Sequence, residues 1–344
     1  MSDLAAAASE AAPELVDPRL RGFLAERFGS SPPDLAPLAG DASTRAYFRA
    51  ARGSETFIVA LYPEPLPDGR LPFLDVQALL AAWDLPVPEV LACDRARGVM
   101  LLSDLGDLSL QEFMRTADGA ERERVYTRAI EQVGRMHRAA RAWPERDAEC
   151  FRLAFDVPKL RFELDFFVTH FLCGLRARPL LDTEREALSR GFDELCAVIA
   201  SWPRVLCHRD FHARNLLLHG GDLAWIDFQD ARQGPATYDL ASLLRDAYVT
   251  LPEDFIAEQA ERFRRAALPE VDAATFARRF DWTCLQRNLK ALGTFGYMAG
   301  VRGKDVYLQY VAPTLRHVAR TLPRHPEWAG LRRVLAGHVE ELGE

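Results

Sequence analysis

The sequence is poor in lysine. Its 344 residues include 43 lysines and arginines together, but only Lys159, Lys290 and Lys304 are lysines. Because no lysine precedes Lys159, an anion bound by the N-terminal third must be neutralised by another group. Arginine is the available cation there, and its planar guanidinium can bind a carboxylate or a phosphate through two parallel hydrogen bonds.

Long hydrophobic runs are lacking as well. No segment approaches the roughly 18 consecutive apolar residues that indicate a membrane span, and the N-terminus lacks the basic region of a secretory signal. The six cysteines are scattered without paired spacing, which is typical of reduced thiols rather than of a disulfide framework. We therefore expect a cytoplasmic protein with no membrane partner.

The chain has no excess of positive charge. It is 49% hydrophobic and 27% charged, with a formal net charge of -7. This composition is typical of soluble globular proteins, and the negative balance disfavours a nucleic-acid partner, which requires a basic face. The length suffices for two domains with separate cores, and we expect a monomer that binds a small molecule.

Two common phosphate-binding motifs are missing. The sequence contains no Walker A motif, since Asp305 follows Gly303-Lys304 and Met298 occupies the position of the first glycine. The segment Gly40–Thr44 lies between two predicted strands, where a kinase has its phosphate loop, but it has one glycine and a Ser-Thr pair instead of G-x-G-x-x-G. Small polar residues between strands usually make only a turn. Together with the motif at residues 208–227 described below, however, we expect these residues to contact the phosphates of a nucleotide: Gly40, Asp41, Ala42, Ser43 and Thr44.

The most informative motif is His208-Arg-Asp210. Asn215 follows Asp210 by five residues and Asp227 follows Asn215 by twelve. This spacing is typical of a phosphoryl-transfer centre in which one Asp accepts the proton of the acceptor, while an Asn and a second Asp hold magnesium. We therefore predict Asp210 as the catalytic base and Asn215 and Asp227 as metal ligands.

The residues between Asn215 and Asp227 support this interpretation. Leu216–Leu218 and Leu223–Ile226 are predicted strands, and the intervening His219–Asp222 has the glycines of a hairpin turn. A hairpin returns Asn215 and Asp227 to the same end of the strand pair. Two oxygen ligands with room for phosphate and water are what Mg²⁺ prefers.

Simpler interpretations of the motif exist. Asp210 could be a turn residue or a helix cap. His208 and His212 are four residues apart and on a helix could form half a zinc site, although Phe211 and the predicted hairpin disfavour a helix. The complete spacing favours a small-molecule kinase that uses ATP and Mg²⁺.

The predicted elements change character along the chain. A helix beginning at Asp17 precedes five strands and one crossing helix, and after a hinge at Ser103–Asp107 the pattern is mainly helical. We predict an α+β, bilobal, protein-kinase-like fold, with an antiparallel-sheet N-lobe over residues 1–105 and a helical C-lobe over residues 106–344. The predicted strands are Asp34–Leu38, Arg45–Ala50, Thr56–Leu61, Glu89–Ala92 and Val99–Leu102, with a helix at Pro72–Trp83. The predicted C-lobe helices are Glu121–Arg141, Pro158–Leu175, Asp182–Ser201 with Asp182 as its cap, Tyr238–Tyr248, Pro252–Ala267, Ala273–Gly293 and Asp305–Arg320.

Met100 and Leu102 are predicted to line the adenine site, although an ordinary buried strand would carry the same residues.

Three blocks of sequence resemble the aminoglycoside-phosphotransferase-like family of the protein-kinase fold: residues 40–49, 208–215, and 226–231 with 234–246. They are similar in particular to bacterial kinases that phosphorylate C1 of N-acetylmuramate or N-acetylglucosamine in cell-wall recycling. The resemblance implies that ATP and an amino sugar give ADP and the sugar 1-phosphate. It also implies that Asp239 braces the catalytic loop, and His208 is expected to do the same.

The chain departs from the kinase pattern at the third strand. Kinases of this fold place a lysine there, but residues 56–62 contain none. We predict that Arg45 and Arg49, on one face of the neighbouring strand, bind the phosphates instead, although either could be an exposed strand charge.

The acceptor site is the least determined part of the sequence. Polar residues on two predicted helices are candidates for holding it: Glu163, Asp165, Arg287, Asn288 and Lys290. Two other functions stay open at this point: a kinase for an aminoglycoside, choline-like or homoserine-like acceptor, and a nucleotide-binding pseudokinase.

Overall fold

A computed structural model describes residues 17–38 and 45–343. In these residues no helix has both the length and the apolar character needed to cross a membrane. The chain divides into two compact units. Unit 1 consists of the residues up to Leu74 together with Pro88–Leu105, and unit 2 consists of Asp75–Val87 together with the residues from Gly106 onwards.

Unit 1 is an antiparallel five-stranded sheet with one helix against it. The helix α1 (Pro18–Phe28) begins at Asp17, whose carboxylate accepts a hydrogen bond from Arg19 N at 2.8 Å, and ends at Gly29 with φ +70°. The strand order is β1-β2-β3-β5-β4. The strands are β1 (Asp34–Leu38), β2 (Ala46–Arg52), β3 (Glu55–Leu61), β4 (Val90–Asp94) and β5 (Val99–Ser103).

The strand side chains of unit 1 alternate in direction and contribute to two separate apolar clusters. Leu20, Phe23 and Leu24 of α1 pack with Val59 and Leu101. Ala60, Met100 and Leu102, which alternate with those strand residues, pack in a second cluster with Leu66 and Leu71.

Unit 2 is mainly helical. Its helices are α2 (Pro72–Ala82, which begins in unit 1), α3 (Leu110–Phe113), α4 (Gly119–Ala142), α5 (Val157–Phe167), α6 (Asp182–Ser201), α7 (Tyr238–Leu244), α8 (Glu253–Ala267), α9 (Ala273–Gly300), α10 (Val311–Thr321) and α11 (Ala329–His338). A π-helix, Val168–Leu175, continues α5 directly. Short 3-10 helices cover Glu149–Phe151, Asp305–Tyr310, Leu322–Arg324, Pro326–Trp328 and Glu340–Leu342.

Two short antiparallel strand pairs are embedded among these helices. The strands β7 (Leu216–His219) and β8 (Asp222–Trp225) form the hairpin that the sequence predicts. A second pair, β6 (Arg204–Cys207) with β9 (Arg232–Pro235), was not predicted. It joins the two ends of the segment that carries His208, Asp210, Asn215 and Asp227, so this segment is closed at its base by backbone hydrogen bonds.

The helix predictions differ from the structure in five places. The predicted helix Tyr238–Tyr248 ends at Leu244, and the predicted helix Asp305–Arg320 consists of a 3-10 helix, Asp305–Tyr310, followed by α10. The predicted helix over residues 158–175 changes from α to π geometry at Val168. The helix α9 continues beyond Gly293 to Gly300. Leu181, not Asp182, is the cap residue of α6, and its N–H donates to Glu184 Oε2 at 2.9 Å.

Candidate active site

The β7–β8 hairpin brings Asn215 and Asp227 together. Leu216 pairs with Trp225, and Ile226 N donates to Asn215 O at 3.0 Å. Asn215 and Asp227 therefore flank the last rung of the hairpin at its open end, as the turn chemistry predicts.

Arg209, in the loop between β6 and β7, and Asp227, just after β8, both have an uncommon backbone conformation. Arg209 has φ +87° and Asp227 has φ +62°, a region that non-glycine residues rarely adopt. The Asp239 carboxylate, fully buried at the start of α7, accepts hydrogen bonds from His208 N at 2.7 Å and Arg209 N at 3.0 Å. Burial raises the pKa of Asp239 to about 7, although the two N–H groups oppose this shift. Asp239 thus has the bracing contacts that the resemblance implies.

His208 fastens the loop to the hairpin. Its Nε2 lies 3.1 Å from Ile226 O, which can only accept, so this ring nitrogen carries the proton and donates it. Burial lowers the pKa of His208, and a neutral ring agrees with this single hydrogen bond. The described residues contain no group of three or more His, Cys, Asp or Glu side chains able to hold a metal ion, so the half zinc site is not completed there.

The Asp210 carboxylate is held between two cations. Lys290 Nζ, on α9, donates to Asp210 Oδ1 at 2.9 Å, and Arg209 Nε lies 3.7 Å from Asp210 Oδ2. Burial favours the protonated acid, but the charges of Lys290 and then Arg209 outweigh it and hold the pKa of Asp210 well below its ordinary value. Asp210 is therefore an ionised hydrogen-bond acceptor at neutral pH.

The atoms of Asn215 and Asp227 suit a hard cation. Asn215 Nδ2 donates to Asp210 O at 2.9 Å, so the amide oxygen of Asn215 is the atom left for a ligand. Asp227 Oδ1 accepts from Gln229 Nε2 at 2.7 Å, and the second carboxylate oxygen is not used in that bond. One amide and one carboxylate oxygen, with the remaining positions supplied by phosphate and water, fit Mg²⁺ coordination.

A second buried carboxylate supports the same loop. Asp246 accepts hydrogen bonds from Ala213 N at 2.8 Å and from Tyr248 N at 2.9 Å. The sequence reasoning did not assign this role to Asp246. An acidic residue within the apolar stretch 238–248 was the available signal, because a carboxylate at such a position must find hydrogen-bond donors.

The described residues predicted for nucleotide binding, Arg45, Arg49, Met100 and Leu102, belong to unit 1. Gly40, Asp41, Ala42, Ser43 and Thr44 lie outside the described residues. Arg49 binds Asp104 through two hydrogen bonds, from Nε at 2.6 Å and from Nη2 at 3.1 Å. The Arg45 guanidinium lies over two rings, 5.7 Å from the centroid of Tyr47 and 5.5 Å from that of Tyr62. Met100 and Leu102 are both buried in β5.

The residues predicted for the acceptor are dispersed. Glu163 is buried and accepts from Gln286 Nε2 at 3.0 Å, while Asp165 is exposed and pairs with Arg161 at 2.9 Å. Arg287 Nε donates to Ser242 Oγ, and Asn288 is buried with neither amide atom hydrogen-bonded in the described part of the chain. Lys290 is the member of this set that contacts Asp210.

Comparisons with known proteins agree with this geometry. Residues 34–280 match the sequence profile of the family described as "Phosphotransferase enzyme family". The N-acetylmuramate/N-acetylglucosamine kinase of Pseudomonas aeruginosa is 34% identical over 91% of this chain and 91% of its own. The N-acetylmuramate/N-acetylglucosamine kinase of Neisseria meningitidis serogroup B is 33% identical over 95% and 96%.

The fold is similar to that of a solved phosphotransferase. The ADP-bound crystal structure of the aminoglycoside phosphotransferase APH(2'')-Ib aligns with 89% of this chain and 99% of its own, with a TM-score of 0.60 and 14% identity. The predicted α+β, protein-kinase-like fold and the resemblance stated from the sequence are thereby confirmed.

Proposed function

Since the chain belongs to the phosphotransferase enzyme family, we propose that it transfers the γ-phosphoryl group of ATP to the anomeric hydroxyl of N-acetylmuramate or N-acetylglucosamine. The bond between the γ-phosphorus and the β,γ-bridging oxygen breaks, and a bond from that phosphorus to the sugar oxygen forms. The products are ADP and the sugar 1-phosphate. The observation that carries the proposal is the ionised Asp210, paired with Lys290, beside the Asn215–Asp227 pair.

Asp210 is proposed to orient the acceptor hydroxyl and to receive its proton. Its low pKa makes it a weak base. A weak base suits a loose transition state, in which the proton leaves late and little nucleophilic push is required. Most of the contribution of Asp210 is therefore positional. Lys290 and Arg209 keep the carboxylate ionised and fix its orientation.

Asn215 and Asp227 are proposed to hold Mg²⁺ through their side-chain oxygens. When bound, the ion neutralises charge on the β- and γ-phosphate oxygens. The backbone of Asp227 supports this assignment, because a positive φ at a non-glycine residue is retained where a side chain must point in a fixed direction.

For the nucleotide phosphates, Gly40–Thr44 and Arg45 remain our proposal. Arg49 is a weaker candidate than the sequence indicated, because Asp104 already binds its guanidinium through two hydrogen bonds. Asp104 would have to release Arg49 before that residue could bind a phosphate.

The test is product analysis with the full chain, ATP and Mg²⁺. The acceptor panel contains N-acetylglucosamine, N-acetylmuramate, an aminoglycoside and choline. We expect ADP release with the two amino sugars and a ³¹P signal coupled to the anomeric proton. Asp227→Ala, which removes a proposed metal ligand, is the inactive control. Phosphate on another hydroxyl, or ADP release with the aminoglycoside or choline alone, would contradict the proposed substrate. No acceptor-dependent ADP release at all would indicate a pseudokinase.

A further inference from the structure

Four aromatic side chains form a continuous row on the surface of unit 2. Phe162, Phe166 and His170 come from α5 and the π-helix, and Tyr297 comes from α9. Ring centroids are 6.3 Å apart for Phe162–Phe166, 4.1 Å for Phe166–His170, 5.5 Å for Phe166–Tyr297 and 5.1 Å for His170–Tyr297. We call these four residues the aromatic row. Phe162 is 62% exposed and the other three are half-buried, so the row presents ring surface to solvent, while Tyr297 also packs against the core of unit 2.

The backbone around the row is fixed by two glycines of α9. A Cβ at Gly296 would lie 2.3 Å from His170 O, and one at Gly293 would lie 2.7 Å from Phe167 Cα. The two helices therefore approach more closely than side chains would permit. The π-helix begins at this contact, at Val168. Its last turn includes the hydrogen bond from Arg176 N to Phe171 O at 2.8 Å. Such π geometry is frequent at functional sites. The row is thus held rigidly on both helices.

The row lies on the face of α9 that contacts Asp210. Lys290, Thr294 and Tyr297 are half-buried and follow one another at helical spacing, so they share one side of the helix. Lys290 binds Asp210 at 2.9 Å. With a rise of 1.5 Å per residue, Tyr297 is about 10 Å farther along the axis than Lys290. The row and the Lys290–Asp210 pair therefore border the same side of α9.

One ring of the row already has a cation beside it. Lys159 Nζ already lies 5.2 Å from the Phe162 centroid, where a cationic ligand would find the electron-rich ring face. Lys290 lies on the Asp210 side of the row. The remaining exposed ring surface suits stacking by the apolar C–H face of an uncharged sugar ring.

We propose that the aromatic row is the subsite on which the pyranose ring of the N-acetylated acceptor stacks. This inference rests on the proposed function and deepens it, because it assigns the surface that recognises the sugar. Stacking on the row determines acceptor affinity and orients the anomeric hydroxyl towards Asp210.

The experiment measures steady-state kinetics with N-acetylglucosamine. Tyr297→Ala and Phe166→Ala should each raise the sugar KM roughly tenfold, the loss expected for one ring contact. The KM for ATP should change less than about twofold, because these rings contact only the sugar. Tyr297→Phe, which keeps the ring, should recover most of the sugar affinity that Tyr297→Ala loses. Phe162→Ala, whose side chain is 62% exposed, is a further row variant expected to fold normally.

Leu181→Ala provides the matched control, since Leu181 is also apolar and is 67% exposed outside the row. An unchanged sugar KM in Tyr297→Ala and Phe166→Ala, with the wild-type melting temperature, would overturn the aromatic row as the sugar subsite.

Saturation-transfer NMR of N-acetylglucosamine with the full chain, without ATP, separates the two proposals. If the wild type binds the sugar through the row but does not phosphorylate it, the proposed function fails and the subsite stands. If the wild type binds no sugar, the subsite proposal fails.

Discussion

The Asp210 side chain illustrates how an ionised group is kept inside a folded protein. Burial alone would favour its protonated form, but Lys290 and Arg209 supply positive charge within 2.9 and 3.7 Å. The resulting low pKa means that Asp210 stays a carboxylate over the whole physiological range, so its protonation does not limit the proposed reaction.

Replacing Asp210 by Asn keeps the size of the side chain and removes its capacity to receive a proton. We expect turnover to fall on the order of 10²–10⁴-fold, the usual contribution of a general base. Nucleotide affinity should be retained, because the proposed metal ligands Asn215 and Asp227 are intact. Single-turnover kinetics and equilibrium binding of an ATP analogue measure the two effects. Turnover near that of the wild type would remove Asp210 from its proposed role.

Lys290→Met removes the closest partner of Asp210 and keeps the aliphatic stem. We expect kcat to fall by about 10–100-fold, since a misplaced reacting group commonly has effects of this size. The KM for ATP should change little if Lys290 acts by positioning Asp210. Lys290→Arg should recover part of kcat, and Lys304→Met is the control for removal of a lysine elsewhere. An equal loss in Lys304→Met would show that the effect is not specific.

The sequence could predict some of these residues but not others. Asp210, Asn215 and Asp227 follow one another at a recognisable spacing, with hairpin residues between the last two. Lys290 lies 80 positions from Asp210. No local pattern connects the two residues, and only the packing of α9 brings them together. The sequence therefore indicated Lys290 as a polar candidate without revealing its partner.

At the scale of elements, the contact of α9 with α5 and the π-helix depends on the absence of two side chains. Gly293 and Gly296 leave no room for a Cβ against the facing backbone. Backbone cannot move aside as a flexible side chain can, so the pair of helices has one permitted separation.

Gly296→Ala tests this contact. The added methyl group must displace the His170 carbonyl, and we expect the free energy of unfolding to fall by about 1–3 kcal/mol, as for other overpacked sites. Gly300→Ala is the matched control on the same helix, because a Cβ there meets nothing within 4 Å. Alanine's higher helix propensity should make this control neutral or slightly stabilising. Denaturant unfolding of both variants measures the difference. Equal stabilities would contradict the close-approach argument.

Prediction of the elements succeeded where local residues carry a clear signal and failed where packing against another element decides the structure. The apolar stripe of α1 and the hairpin β7–β8 were predicted from the sequence. The strand β9 was not, because Arg232-Gln-Gly-Pro235 contains the residues least typical of strands and is held by its partner β6. The π-helix was missed for another reason. Its residues fit an α-helix equally well, and the change from α to π geometry occurs where the helix closely contacts α9.

At the scale of the whole molecule, the two compact units do not follow the predicted domain boundary in every part. Asp75–Val87, which includes most of α2, clusters with unit 2 although it precedes β4 and β5 of unit 1. The hydrogen bond from Trp225 N to Pro86 O, at 2.8 Å, joins this segment to the hairpin. A domain boundary predicted from the order of strands and helices divides the chain at one point. It therefore cannot show that an earlier segment packs with the later unit.

The stability of the whole protein should depend on pH through Asp246. Burial raises the pKa of this carboxyl from 3.8 to about 6. Between these values the folded protein binds more protons than the unfolded chain. The contribution of Asp246 is therefore fully present below pH 3.8 and is lost as the pH rises towards about 6, with a slope of up to about 1.4 kcal/mol per pH unit.

Asp246→Asn removes this titration. The variant also loses one of the two hydrogen bonds to Ala213 N and Tyr248 N, a contribution of about 1 kcal/mol that does not itself change with pH. The difference in unfolding free energy between wild type and variant should therefore shrink or reverse as the pH rises through the window. Chemical denaturation at a series of pH values measures it, and a difference independent of pH would refute the assignment.

The helix α9 runs without a break from Ala273 to Gly300, and this limits which sequence changes the protein can accept. Inserting one residue between Lys290 and Tyr297 would turn everything downstream by about 100° around the helix axis. Lys290 would still face Asp210, whereas Gly296 and Tyr297 would point elsewhere. Substitutions within this stretch alter one contact at a time, but a change in its length breaks several together. We therefore expect functional variants to keep the length of this stretch, with exchanges confined to positions other than these contact residues.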